Sequence, residues 1–185
     1  MKHLGTKVIE TERLLLRKFE KEDVKSTFDN WCHDERVTRY LTWPIHADVS
    51  VTESVLNDWI KSYEKEDFYQ WAIVLKEIEE PIGSISIVAI NERTNSVEIG
   101  YCIGFKWWHK GMVSEAFSAL IPFIFNKMKV NRIEARHDTN NPNSGKVMIK
   151  CGLKYEGTLR ESDCNNQGIV DMAYYGLLAN EYNSK

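Results

Sequence analysis

The sequence predicts an α+β fold, an α/β three-layer sandwich: a mixed, mainly antiparallel central sheet of six to seven strands with helices on both faces. Three observations carry this expectation. Strand-length segments follow one another without an intervening helix at 69–75, 84–90 and Ser96–Ile103, which implies an antiparallel meander. A helical segment then separates Ser96–Ile103 from a further strand at 132–137, and a strand–helix–strand step implies parallel pairing through a crossover. Helical segments occur both before and after the meander, so each sheet face has a cover.

The elements follow in order. Residues 14–19 form a first strand, with Thr11 and Glu12 leading in. Lys21, Glu22 and Asp23 open a helix on which Phe28, Trp31 and Cys32 fall at i, i+3 and i+4. Residues 37–44 are an irregular, aromatic-rich connection. Residues 50–63 form a second helix with Val51, Val55, Leu56, Trp59 and Ile60 along one face, and Ser50 with Glu53 resembles a capping box. Strand 69–75 comes next; Pro81, Ile82 and Gly83 lead into strand 84–90, and Ser96–Ile103 reads SVEIGYCI. The glycine-containing segment 104–111 leads into a helix over 112–127. In strand 132–137, Ile133 and Ala135 alternate against Arg132, Glu134 and Arg136. A shorter helix over 143–150 ends at Cys151 and Gly152, a good C-terminal cap. Strands over 155–160 and 170–178 complete the order.

Composition bounds the function. At 185 residues with no repeat, low-complexity tract or linker, the chain is expected to form a single domain over 1–185. Its 43% hydrophobic and 28% charged content suits a packed core and excludes intrinsic disorder. A net charge of −3 argues against a nucleic-acid binder that works by neutralising phosphates. The apolar run 14–16 is too short for an export signal, and no segment approaches the roughly 20 apolar residues of a membrane span. Cys32, Cys102, Cys151 and Cys164 form no CxxC pair and no zinc spacing, so free thiols in the cytoplasm are expected, with no metal site. The oligomeric expectation is a monomer or a homodimer.

Two segments carry chemistry. In 101–116, YCIGFKWWHKGMVSEA, a strand ends, a short loop follows and a helix starts. Loop N–H groups and the helix dipole make such a junction an anion site, and Gly111 permits close backbone approach to a phosphate. The segment lacks both the GxGxxG of dinucleotide folds and the GxxxxGK[ST] of a P-loop. By itself such a junction is more often a plain turn. In 138–153, DTNNPNSGKVMIKCGL, Asn141 and Ser144 lie around a helix start. Their side chains suit helix capping, and they also suit projection of an amide and a hydroxyl into a crevice at the strand end.

Together these segments resemble the GCN5-related N-acetyltransferases (GNAT), and within them the branch that acetylates N-termini of ribosomal proteins. The opening ETERLLLR at 10–17 is similar to that branch's first strand, and Glu98-Ile-Gly-Tyr101 to its fourth. Trp108-His-Lys-Gly-Met-Val113 stands where the family carries Gln/Arg-x-x-Gly-x-Gly/Ala, its acetyl-CoA pyrophosphate loop, and Ser114-Glu115-Ala116 continues as the branch does. Asn141-Pro-Asn-Ser144, Lys150-Cys-Gly-Leu153 and Glu156-Gly157 resemble Asn-x-x-Ser, Lys-x-Gly-Phe and Glu-Gly. There are departures. Trp108 replaces Gln/Arg, His109 stands where glycine is common, and Val113 replaces the final Gly/Ala. Met148 stands where many members place a tyrosine that protonates the leaving thiolate; this branch is thought to use the serine instead.

The resemblance implies acetyl-CoA as cosubstrate, no metal, and transfer of the acetyl group to a primary amine by direct attack. The acceptor it implies is a protein N-terminus, ribosomal proteins included, or a small amine such as a polyamine, amino acid or aminoglycoside. In that reading the fourth strand parts from its neighbour near Ile103 and pairs with the pantetheine arm. Backbone N–H groups of His109, Lys110, Gly111, Met112 and Val113 hold the pyrophosphate beside Trp108. Asn141 contacts the pantetheine, and Ser144 lies near the sulfur as proton donor. Glu98 and Asp163 are the carboxylates available to take the ammonium proton. Trp31 and Trp43 are placed beside the acceptor channel, whereas His137 is a strand-end residue. The alternative from a different class is a non-catalytic acyl-CoA-binding module or sensor, with the loop intact and no proton path.

Overall fold

The computed structural model describes residues 1–183. Its strands are β1 (Ile9–Glu10), β2 (Leu14–Arg17), β3 (Gln70–Leu75), β4 (Glu80–Asn91), β5 (Ser96–Ile103), β6 (Arg132–Asp138), β7 (Lys154–Asn165) and β8 (Gly168–Leu178). Its α-helices are α1 (Val24–Thr27), α2 (Glu35–Thr38), α3 (Val49–Ser62), α4 (Met112–Pro122), α5 (Pro142–Lys150) and α6 (Ala179–Asn183). The strands join in one sheet, ordered β1-β2-β3-β4-β5-β6-β8-β7. Among the described residues only β5 and β6 pair in parallel, through the crossover that contains α4.

β3 shows why the sheet is covered twice. All six of its residues are buried, and the five apolar ones alternate between two cores. Trp71, Ile73 and Leu75 enter the larger core with Phe117 and Leu120 of α4. Ala72 and Val74 enter the smaller one with Phe19, Trp31 and Leu56. A strand apolar on both sides is what a sheet packed on both faces requires. No helix among the described residues is long and apolar enough to cross a membrane.

Several boundaries differ from expectation, each for a local reason. The sheet has eight strands because Ile9 and Glu10 pair with Leu16 and Leu15; two residues are too few to show a period. The α3 helix is capped by Asp48, whose side chain accepts the Ser50 N–H at 2.8 Å, so the Ser50–Glu53 capping box does not form. Trp31 lies in a wide turn over Phe28–Cys32 and is 1% exposed, which makes it core and not channel wall. The α4 helix stops at Pro122, where an N–H is lacking, and a wide turn over Phe123–Lys127 follows. The strand expected over 155–160 continues to Asn165, past register shifts and a left-handed Glu161 (φ 51°). Asp163 therefore lies within β7, past the end expected for that strand.

Candidate active site

The site begins where the sheet comes apart. β5 and β6 pair only through Ser96–Arg132, Val97–Ile133 and Glu98–Glu134. Beyond Glu98, β5 stays with β4 as far as the Ile103–Gly83 pair, while β6 stays with β8 as far as Asp138–Met172. The strands thus part from Ile99 onward, earlier than the expected point near Ile103. The cause lies on the neighbouring strand. The β4–β5 register shifts between Ile87 and Ala89, opposite Ile99 and Glu98, and a bulge bends and twists its strand. From Ile99 to Ile103, one edge of β5 is left as a row of backbone donors and acceptors lining a wedge.

At the far end of β5 the chain turns through Phe105–Trp107 into the loop before α4. Trp108 bolts this loop to the strand: its indole N–H donates to the Ile103 carbonyl at 2.9 Å. His109 and Gly111 both adopt left-handed backbone, with φ of 59° and 75°. Glycine takes this conformation freely, whereas histidine takes it at a cost, which explains why a glycine suits position 109. Gly111 is the N-cap of α4, and no side chain caps the helix. Its first-turn amides therefore present a positive end with no side-chain cap on them. Arg13 Nη2 and Lys150 Nζ each stand 3.8 Å from where a Gly111 Cβ would lie. Met112 and Val113 turn their side chains into the core, so only their backbone is offered to a ligand.

The other wall is α5. Asn141 and Ser144 do not cap this helix with their side chains; they bond to each other, Asn141 Nδ2 donating to Ser144 Oγ at 3.2 Å. The Ser144 hydroxyl thus accepts from Asn141 and keeps its own proton to donate. Tyr101, on β5, donates its hydroxyl to the Ser144 carbonyl at 2.8 Å and spans the wedge. Burial pushes this phenol's pKa well above the ordinary tyrosine range, so it acts as a fixed donor. Met148 is core.

Where β5 and β6 part, Arg136 gathers both predicted carboxylates. Its Nε donates to Glu98 Oε1 at 2.8 Å, and its Nη1 lies 3.1 Å from Asp163 Oδ2 and 3.3 Å from the Tyr174 hydroxyl. Glu98 and Asp163 are therefore brought together, whereas among the described residues no hydrogen bond joins either to Ser144. The sequence reading missed Arg136; in an alternating strand it looked like an ordinary outward-facing residue. It also missed Asn166, at the β7–β8 turn. The Asn166 amide donates to the Thr38 and Trp43 carbonyls, both at 2.8 Å, and ties the hairpin to the loop that carries Trp43. His137 is buried against Tyr175, with Nδ1 2.7 Å from the Asp138 carbonyl. Among the described residues no group of three His, Cys, Asp or Glu side chains is placed to hold a metal.

A parted sheet beside an uncapped, cation-flanked helix entrance defines a protein built to receive a chain-like ligand that carries amides and phosphates. Comparison with known proteins gives the family. Residues 13–154 match the family described as acetyltransferase (GNAT) domain. The chain is 34% identical over 175 residues to the uncharacterized N-acetyltransferase p20 of Bacillus licheniformis, covering 93% of this chain and 96% of that one. It is 24% identical over 171 residues to the ribosomal-protein-serine acetyltransferase of Escherichia coli (strain K12), covering 91% and 94%. The crystal structure of a GNAT-family acetyltransferase from Bacillus anthracis shares the fold with a TM-score of 0.82 at 27% identity, covering 95% of this chain and 100% of that one. The chain belongs to the GNAT acetyltransferase family. It is an acetyl-CoA-dependent N-acetyltransferase.

Proposed function

We propose that the chain, as a single acetyltransferase domain, acetylates a protein N-terminus, with ribosomal proteins among the acceptors, or a small primary amine. The observation that carries this reading is the wedge between β5 and β6, open from Ile99 and flanked at its mouth by the uncapped entrance of α4. Acetyl-CoA supplies an already activated thioester, so the protein's task is orientation and proton management. The unpaired edge of β5, ending at Ile103, suits the pantetheine amides. The backbone of Trp108, His109, Lys110, Gly111, Met112 and Val113 suits the diphosphate, with Arg13 and Lys150 beside it. Asn141 orients the Ser144 hydroxyl, which donates a proton to the departing sulfur. Arg136 takes Oε1 of Glu98 and leaves Oε2 for the incoming nitrogen or a water. Asp163 stands on the other side of the same guanidinium and completes a cluster of net charge −1 that favours an ammonium.

The Escherichia coli relative's name supports a protein acceptor. Four unpaired cysteines support a cytoplasmic setting, and the oligomeric state in this reading is a monomer or homodimer. The test is release of free thiol from acetyl-CoA across a panel of N-terminal peptides and small amines. Turnover on one class identifies the acceptor. Tight CoA binding with no turnover on any member would turn the reading to a non-catalytic sensor.

A further inference from the structure

Glu115 places a carboxylate in the first turns of the very helix whose entrance suits an anion. Left bare, it would repel a diphosphate. Four donors surround it instead. Oε1 accepts from the Thr11 hydroxyl at 2.6 Å and from the Arg13 backbone N–H at 3.0 Å. Oε2 accepts from Arg13 Nε at 2.7 Å and lies 2.6 Å from Arg13 Nη2. Burial alone would raise the Glu115 pKa, but the Thr11 and Arg13 hydrogen bonds outweigh it and hold the group below the usual glutamate range. Arg13 makes one further contact: its Nη1 donates to the Lys110 carbonyl at 3.1 Å. Lys110 is the residue between left-handed His109 and left-handed Gly111.

We infer that Thr11, Arg13 and Glu115 form a clasp that sets the peptide orientation of the loop at 109–111, which makes Arg13 a positioning residue for cosubstrate binding. The inference rests on the reading of that loop as the diphosphate site. Three physical points support it. The C=O of residue 110 and the N–H of residue 111 belong to one planar trans peptide, so pinning the Lys110 oxygen fixes the direction of the Gly111 N–H. Left-handed non-glycine backbone persists where the surroundings over-determine it, and the clasp is such a restraint. It comes from outside the loop, since Arg13 and Glu115 are 102 positions apart. The planar guanidinium fork grips the carboxylate and the Lys110 carbonyl together, a geometry that a lysine ammonium cannot reproduce. The clasp also accounts for the company of two motifs in one chain, Thr-Glu-Arg at 11–13 and Ser-Glu-Ala at 114–116.

The experiment compares wild type, Arg13→Ala, Arg13→Lys, Glu115→Gln and the Arg13→Ala/Glu115→Gln double variant. Calorimetry gives the Kd for CoA, and steady-state kinetics use both acetyl-CoA and S-acetylpantetheine, a thioester without the diphosphate. Loss of a charge-assisted contact predicts about tenfold or more weaker CoA binding in Arg13→Ala and Arg13→Lys alike, expressed in KM more than in kcat. The preference for acetyl-CoA over S-acetylpantetheine, as a ratio of kcat/KM, falls by about the same factor. The double variant binds CoA no worse than Arg13→Ala, because the residues act as one unit. Arg13→Lys at wild-type affinity overturns the clasp, since charge alone would then suffice. Equal losses on both thioesters also overturn it, as damage to the fold at large. Wild-type protein that binds no CoA overturns the site reading and the clasp with it; wild-type binding that is indifferent to Arg13 and Glu115 overturns the clasp alone.

Discussion

Gly111 allows backbone conformation and side-chain bulk to be separated at the entrance of α4. A Cβ there would meet nothing closer than Arg13 Nη2 and Lys150 Nζ, both 3.8 Å away. Gly111→Ala therefore adds no clash, and its cost is the left-handed backbone alone, about 1–2 kcal/mol. A loop that relaxes in the free protein must recover that energy on binding, so CoA affinity falls about 5- to 30-fold. Gly111→Pro is a different perturbation. Proline fixes φ near −65°, about 140° from the φ of 75° at this position, and it removes the N–H. CoA binding is expected to fall below detection while the thermal unfolding transition persists. His109→Gly supplies the converse control, because it relieves left-handed strain at φ 59° and is expected to preserve or tighten binding. Isothermal titration with CoA, alongside thermal melts, reads all three. Gly111→Pro with wild-type affinity would refute the assignment of the diphosphate to this loop.

Three further predictions follow from other parts of the molecule. Ser144→Ala is expected to lower kcat about 100-fold or more, the scale of a lost general acid, with a much smaller change in CoA affinity; an unchanged kcat removes Ser144 from the chemistry. Gly145→Ala drives a Cβ to 2.6 Å from His137 Nε2 and 3.0 Å from the Tyr175 hydroxyl, so α5 must shift; about 1–3 kcal/mol of stability is lost in urea unfolding, and a neutral result contradicts the packing. His46 is buried with its Nδ1 2.7 Å from the Thr52 hydroxyl, and burial lowers its pKa below the ordinary 6.5. The unfolded chain thus takes up the proton first. The stability contributed by the neutral ring is complete above about pH 6.5 and is lost as pH falls through the folded-state value. His46→Gln is expected to flatten that part of the stability profile, and parallel profiles would show that His46 is not its source.

The legible parts of the fold were those with a clean period. Ser96–Ile103 has the same bounds in sequence and structure, and Ile133 and Ala135 pointed correctly into the core. The second half of β7 was hidden because RESDCN, at 160–165, is polar on both faces and carries a bulge, so no alternation survives. The capping of α3 was misplaced by two residues because Ser50 and Asp48 are both good caps, and only geometry chooses between them. In the site, the loop at 108–113 and the Asn141–Ser144 pair were legible as local motifs. Arg136 was not, because its meaning comes from Glu98 on another strand and from Asp163, which lies beyond the strand expected over 155–160. Arg13 and Glu115 stood in quoted motifs, yet nothing short of the fold shows that they meet.

The three-pair seam between β5 and β6 has a consequence for solubility. Unsatisfied strand rims normally recruit foreign strands, and proteins blunt them with charge, proline or bulges. Here the bare rim is recessed in a notch between two half-sheets, with the Tyr101–Ser144 strut across it. A guest strand or chain must reach into the notch to pair with it. The molecule thus keeps its unpaired backbone inside a recess and not along an outer edge of the sheet.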